Sequence, residues 1–352
     1  MKIYLKAYVK KNLGDDLFIK IITDRYKDND FFLDANAEYL DIKNLKCYSQ
    51  NKAKKYIGRG IKYICRGAKS LDNFYIFNKD LYVLIGGSMF IENKYSSMMK
   101  KPERIKKDYY IIGTNFGPYE SDWYLDKYKK FFLNAKDVCF RDKKSYNMFK
   151  DIASVRTASD VIFSLDTSNI NMQESRKVII SVIDCSKKNI KEHQEDYEHK
   201  ICEIIDFFRK RKYNIQLMSF CKAEGDELAI ERILSKYEDR QYIETYYYNG
   251  NIKEALEVLG KSSIIVGTRF HANVLGMIMD KVIIPIAYSD KTINMLEDIE
   301  YKGKIIDIRS INKFNINSIT EEDLKYKVDI KIQIEDANKQ FEILDRKILN
   351  KE

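Results

Sequence analysis

The residues best suited to chemistry fall where short apolar runs end. Ser262-Ser263-Ile264-Ile265-Val266-Gly267-Thr268-Arg269-Phe270-His271-Ala272-Asn273 reads as a strand that stops at Gly267, followed by a small-residue apolar helix from Ala272 to Met279. That junction puts Arg269 and His271 on a first helical turn. A guanidinium matches a phosphate with two parallel hydrogen bonds, and a helix N-terminus adds favourable potential for the same anion. A lone histidine is often a core residue, but Arg-x-His at a strand-to-helix junction turns the reading to function. His193 and His199 stand in a charged segment six residues apart, off a common helix face, which argues against a metal pair. After the next apolar run, Tyr288 and Lys291 in Pro285-Ile286-Ala287-Tyr288-Ser289-Asp290-Lys291 are placed to meet a second acidic group of the same ligand. The plainer alternative for Lys291 is a surface lysine at a helix start.

The first half of the chain carries glycines and polar groups at equivalent points. Asn12-Leu13-Gly14-Asp15-Asp16 follows the first strand; its glycine permits close backbone approach, and Asp15 or Asp16 is available as a helix cap or as an acceptor for a hydroxyl. Leu84-Ile85-Gly86-Gly87-Ser88 and Ile112-Gly113-Thr114-Asn115-Phe116-Gly117-Pro118 put flexible backbone at two more strand ends. Neither is G-x-G-x-x-G nor G-x-x-x-x-G-K-[ST], so neither a dinucleotide fingerprint nor a P-loop is supported. In Cys139-Phe140-Arg141-Asp142 a cation ends a strand; Arg141 either grips a carboxylate or pairs with Asp142 or Asp160.

The elements that must position these groups are short apolar runs separated by longer amphipathic segments. Lys2 to Val9, Tyr82 to Ile85, Tyr109 to Ile112 and Val138 to Phe140 read as strands in the first half. Lys177 to Ile183, Ile215 to Phe220, Tyr242 to Glu244, Ile264 to Val266 and Val282 to Ile286 do so in the second. Strands spaced by helices imply parallel β-α-β units. Between Ser164 and Ser175 the apolar periodicity lapses, which marks a domain boundary. The expected architecture is α/β: two Rossmann-like, doubly wound domains facing a cleft, 1–168 and 176–320, because open parallel sheets bind ligands at the carboxyl ends of their strands. In 321–352, Ile330, Ile334, Ala337, Phe341, Leu344 and Ile348 recur at spacings of four and three, predicting one long helix with a buried stripe that docks back on the N-terminal domain.

Composition narrows the partners. The 352 residues, 45% hydrophobic and 33% charged, suit globular domains rather than disorder. The 62 Lys+Arg and 53 Asp+Glu give a formal charge of +9, but the signs are interspersed and no basic block alternates with aromatics, which argues against nucleic acid. The surplus suits anionic ligands or peripheral association with an anionic membrane surface. Cys47, Cys65, Cys139, Cys185, Cys202 and Cys221 form no C-x-x-C pair and read as reduced core residues of a cytoplasmic protein. The N-terminus lacks the apolar run of a signal peptide, and no later run is long enough to span a bilayer.

In order along the chain, Asn12-x-Gly14-Asp15, Gly86-Gly87, the Gly113 to Pro118 loop, Arg141-Asp142 with Ser145, Asp160, Arg269-x-His271 and Tyr288-x-x-Lys291 resemble the polysaccharide pyruvyl transferase family. The resemblance runs from about residue 1 to residue 300; Ser88 stands where the family often has a third glycine. It implies a GT-B-like fold and transfer of a pyruvyl group from phosphoenolpyruvate to two hydroxyls of a sugar, forming a ketal on a cell-surface or capsular polysaccharide or its precursor. No cofactor or metal is implied, phosphoenolpyruvate being a co-substrate. On this resemblance Arg269, His271, Lys291, Arg141 and Tyr288 bind the donor, and Asn12, Gly14, Asp15, Gly86, Gly87 and Asn115 bind the acceptor. His271 protonates the methylene carbon, Arg269 assists, and Asp15 accepts the hydroxyl proton. A helix N-terminus disfavours a protonated imidazole, so a bound phosphate dianion would have to sustain it. The acceptor side is the first domain and the donor side the second; a lipid-linked sugar is among the acceptors left open, and it would bring the protein to the inner face of the membrane. Two rivals remain at this point. One is a nucleotide-sugar glycosyltransferase of the same architecture, holding a ribose through Asp290 and Asp298; the other is a non-catalytic saccharide- or anion-binding protein.

Overall fold

A computed structural model describes residues 1–36, 39–48, 78–92 and 107–349. Of the cysteines, Cys65 lies outside them. The chain divides into two compact units, one of Met1–Val9, Asp15–Ser164 and Gln333–Glu352, the other of Lys10–Gly14 and Leu165–Ile332.

The first unit is built on a seven-stranded parallel sheet, in the order β3-β2-β1-β4-β5-β6-β7. Its strands are β1 (Lys2–Lys6), β2 (Asp30–Leu33), β3 (Leu45–Cys47), β4 (Leu81–Ile85), β5 (Tyr109–Thr114), β6 (Asp137–Phe140) and β7 (Val155–Thr157). Every residue of β4, β5 and β6 is buried, as strands covered on both faces require. The half-exposed edge strand β3 and the three-residue β7 carry too little apolar pattern to announce themselves in the sequence. Much of the packing is aromatic: the Phe116 ring meets Phe149 at 4.8 Å and Tyr128 at 5.8 Å, both edge-on, the preferred geometry for ring quadrupoles.

The second unit has six parallel strands, ordered β10-β9-β8-β11-β12-β13. These are β8 (Lys177–Ser181), β9 (Asn214–Ser219), β10 (Ile243–Tyr247), β11 (Ile264–Gly267), β12 (Val282–Ala287) and β13 (Ile306–Asp307). β-branched runs such as Ile264-Ile265-Val266 and Val282-Ile283-Ile284 fill the centre, where a stiff branched side chain packs well on a pleated surface. In each unit the order runs outward in one direction from the first strand and then reverses. The reversal lies between β1 and β4 in the first sheet and between β8 and β11 in the second. At such a point the connections leave on opposite sides and open a crevice at the strand carboxyl ends.

The C-terminal stretch corrects the expectation of one long helix. Helix Lys331–Ala337 is followed by a 3₁₀ turn over Asn338–Phe341 and a second helix, Glu342–Leu349. Ile330, Ala337, Phe341 and Leu344 are buried, whereas Ile334 is 38% exposed and Ile348 half-buried. The tighter turn has three residues per turn and so breaks the stripe's phase. It also turns the fully buried Gln340 inward. Its Oε1 accepts from the Gly113 amide at 2.9 Å, and its Nε2 donates to the carbonyls of Ala158 at 2.9 Å, Ser159 at 3.1 Å and Phe140 at 3.3 Å. One amide thus satisfies backbone at the ends of three strands. Arg25 reinforces the attachment, donating from Nε to Asp345 at 2.9 Å. Gln340→Leu keeps the volume and strands those groups, so we expect it to cost about 1–3 kcal/mol. Urea unfolding should show a lower midpoint with an unchanged slope.

Candidate functional site

The second unit gathers charged and polar side chains at the carboxyl ends of four adjacent strands. Beyond β11, Thr268 shares a hydrogen bond with the buried Tyr197 hydroxyl at 3.0 Å, and the Arg269 amide donates to Ser181 Oγ at the end of β8, also at 3.0 Å. These two contacts span the reversal point and fix where the following helix, Phe270–Ile278, starts. Arg269 stands at its N-cap with extended backbone, and His271 is in its first turn.

Arg269 departs from the expectation of an open phosphate grip. It is only 5% exposed, and its guanidinium is committed to two carboxylates. Nε donates to Asp226 Oδ2 at 3.1 Å, Nη2 donates to Asp226 Oδ1, and Nη1 donates to Glu224. Asp226, fully buried, also accepts from the amides of Phe220 and Cys221 at 2.9 Å each. A carboxylate is acceptor-only, and four donors converge on this one. Glu224 additionally accepts from the Lys188 ammonium. Burial acts to raise the Glu224 carboxyl, but Arg269 and Lys188 outweigh it and hold it well below the usual carboxylate range. The physical reason for the departure is burial: a cation this far from water must be paired.

Around this pair lie two further cations and a phenol. The Lys291 ammonium is 5.1 Å and the Lys188 ammonium 6.0 Å from the centre of the half-buried Tyr288 ring. Burial acts to raise the Tyr288 hydroxyl, yet Lys291, Lys188 and Arg269 together lower it to about 8. Lys188, Glu224 and Asp226 are the residues that sequence reasoning missed. Lys188 and Glu224 stand beside or in the short 3₁₀ turns Cys185–Lys187 and Lys222–Glu224, and Asp226 opens the helix Asp226–Leu234, positions that no periodic pattern singles out.

The same unit holds Lys10–Gly14, anchored where the Leu13 amide donates to the Phe220 carbonyl at 3.1 Å. Asn12, not an aspartate, caps the following turn, its Oδ1 accepting from the Gly14 amide at 3.1 Å. A Cβ on Gly14 would lie 1.8 Å from His271 Nδ1, so the imidazole packs directly on this backbone. A glycine is required there.

In the first unit, Arg141 pairs with Asp160 at 2.7 Å, with 4% and 2% of the two side chains exposed, and its Nη2 donates to Asn115 Oδ1 at 2.8 Å. The ion-pair alternative for Arg141 is therefore the one realised. Asn115 in turn donates its amide to the Gly87 carbonyl at 2.8 Å, and a Cβ on Gly87 would sit 2.6 Å from Arg141 Nη1. Asp15 lies at the β1–β4 reversal point of the same unit, its Oδ1 3.9 Å from where a Gly86 Cβ would be. Asp142 caps the helix Lys143–Phe149, and Ser145 Oγ accepts from the Phe116 amide at 2.8 Å. Asn115, Gly87, Arg141 and Asp160 thus form one hydrogen-bonded group of loops.

Asp290 and Asp298 begin and end the helix Asp290–Asp298, so about 12 Å of helix separates them at 1.5 Å per residue. They cannot grip one ribose together, and Asp290 pairs with Arg309 at 2.8 Å. Cys47, Cys139, Cys185, Cys202 and Cys221 are unbridged, and burial pushes the Cys185 and Cys221 thiols up to about 12, leaving them poor nucleophiles. Among the described residues, no group of three or more His, Cys, Asp and Glu side chains could hold a metal ion, and no helix is long and apolar enough to cross a membrane.

Two parallel α/β sheets with polar groups at their reversal points define a GT-B-like protein. Among solved structures, the UDP-GlcNAc 2-epimerase from Neisseria meningitidis bound to UDP-GlcNAc is similar over 100% of both chains, with a TM-score of 0.65 and 11% identity. HepE from Anabaena, in complex with UDP and glucose, is similar over 99% of this chain and 98% of its own, with a TM-score of 0.55 and 9% identity. The polysaccharide pyruvyl transferase profile matches residues 12–290, and the chain belongs to that family. The amylovoran biosynthesis protein AmsJ of Erwinia amylovora is 20% identical over 296 residues, covering 76% of this chain and 71% of AmsJ.

Two substitutions test this geometry. Gly14→Ala must displace the His271 ring, and since a misplacement of about 1 Å can cost about 10²-fold in rate, activity should fall far more than the melting temperature. Arg141→Ala leaves a buried Asp160 without its guanidinium and should destabilise the protein by about 3–5 kcal/mol, measured by urea denaturation.

Proposed function

We propose that the protein transfers the pyruvyl group of phosphoenolpyruvate to two hydroxyls of a sugar, forming a cyclic ketal on a polysaccharide or its precursor. Family membership makes it a transferase acting on polysaccharide. The observation that carries the finer reading is the second unit's cluster: a histidine two residues from a buried arginine, beside lysines facing a phenol. Phosphoenolpyruvate brings a phosphate and a carboxylate to such a site. Lys291 and Tyr288 meet its anionic groups, while Arg269, tied to Asp226 and Glu224, sets the start of the helix that aims His271.

The chemistry balances without a redox partner. His271 delivers a proton to the methylene carbon, turning it into a methyl group and C2 into an electrophile. One sugar hydroxyl adds to C2; the second displaces the phosphate there, closing the ketal. Of the two hydroxyl protons released, one replaces that spent on the methyl group and the other leaves with inorganic phosphate. Asp15, with Asn12, Gly14, Gly86, Gly87 and Asn115, is assigned to the acceptor, and its carboxylate takes a hydroxyl proton. AmsJ is named for the biosynthesis of amylovoran, which supports a role in polysaccharide biosynthesis. The +9 charge suits an acceptor presented at an anionic membrane surface.

His271→Gln should retain affinity for phosphoenolpyruvate by calorimetry and lose about 10²–10⁴ in turnover, the usual cost of removing a general acid. Sugar-dependent release of inorganic phosphate is the assay, and in D₂O the wild-type product should carry deuterium in its ketal methyl. Turnover of the glutamine variant at the wild-type rate would remove His271 from the proton transfer.

A further inference from the structure

Two ammonium groups face the Tyr288 ring, Lys291 after β12 at 5.1 Å and Lys188 after β8 at 6.0 Å from its centre, and the charge of Arg269 after β11 adds to theirs. Two carboxylates answer them. Asp226 is committed to Arg269, and Glu224 is shared between Arg269 and Lys188. Asp290, next to Lys291 in sequence, is drawn off by Arg309, and His271 stands one turn into the adjoining helix. Among the described residues, three positive and two negative side chains leave a surplus of positive charge around one hydroxyl. That surplus would attract a phosphoryl dianion, and among the described residues there the phenol can also answer it by shedding a proton.

Resting on the reading of this unit as the donor side, we propose that Lys188, Lys291 and the Tyr288 hydroxyl form the seat of the donor's phosphoryl group, and that filling the seat is coupled to protonation of Tyr288. A bound dianion cancels the field of the ammonium groups and offers the phenol an acceptor; a phenolate would instead repel it. The cations beside it act in the complementary sense, bringing the hydroxyl to about 8. The sign follows by linkage. Below that pH the phenol is protonated with or without ligand, and affinity owes nothing to it. Above it, binding must take up one proton, so affinity falls about tenfold per pH unit until the occupied site also ionises.

Inorganic sulfate, which does not titrate in this range, and inorganic phosphate are the probes. Calorimetry on the full chain between about pH 7 and about pH 10, in buffers of different ionisation enthalpy, counts the proton taken up; the difference in tyrosinate absorbance between the wild type and Tyr288→Phe follows Tyr288 among the 26 tyrosines. Wild-type affinity for sulfate should decline above about pH 8, and saturating sulfate should move the tyrosinate midpoint upward. In Tyr288→Phe that decline should vanish. Lys188→Met should weaken binding of both anions and raise the tyrosinate midpoint. An equal decline in Tyr288→Phe, or a Lys188→Met protein with unchanged affinity and midpoint, overturns the proposal. Proton-coupled anion binding without phosphoenolpyruvate turnover on any sugar would refute the pyruvyl reading and leave the seat standing. Turnover without the coupling would do the reverse.

Discussion

The pairing of Arg269 with Asp226 is the constraint on which the second unit's site depends. A guanidinium that is 5% exposed cannot be left alone in a protein interior, and a carboxylate as fully buried as Asp226 cannot either. Together, and with the amides of Phe220 and Cys221 completing the carboxylate, they lock the loop after β9 to the loop after β11. The candidate site of this unit hangs from that lock: the start of the helix bearing His271, the placement of Glu224, and through Glu224 the position of Lys188. A conspicuous arginine in a sequence motif is readily taken for the ligand's partner. Here its hydrogen bonds go to the protein, and its charge reaches the site as a field on Tyr288.

The first unit solves the same problem with different residues. Arg141 after β6 is buried against Asp160, and Asn115 is held between that guanidinium and the Gly87 carbonyl. Each unit also uses a glycine where a large side chain presses on backbone: Gly87 under the Arg141 guanidinium and Gly14 under the His271 imidazole. In both, any larger residue would occupy the space of the group it supports.

Much of this was legible in the sequence, for reasons that are local. Strands buried on both faces must be apolar throughout, so β4, β5, β11 and β12 announced themselves, and glycines or charged residues at their ends marked the loops. The order of Asn12-x-Gly14-Asp15, Gly86-Gly87, Arg141-Asp142, Arg269-x-His271 and Tyr288-x-x-Lys291 sufficed to point to the family whose profile matches residues 12–290. Alternation and helical period also located the half-chains and the apolar C-terminal stretch.

Only the tertiary structure decided how those groups pair. Arg269 and Asp226 are 43 residues apart, Lys188 and Glu224 36 apart, and Gln340 reaches Gly113 across 227 residues. No local period encodes contacts at such separations; they follow from which strands lie side by side. In β10-β9-β8-β11-β12-β13, the ends of β8, β9, β11 and β12 are neighbours although their order along the chain is different. The 3₁₀ turn that directs Gln340 inward breaks a stripe that sequence reads as one continuous helix, since an apolar repeat records which residues avoid water but not the phase change that lets a polar residue among them satisfy buried backbone. Sequence by itself therefore determined the elements and the chemical types at their ends; the sheet order determined which charge meets which, because electrostatic pairing depends on distance in space and not along the chain.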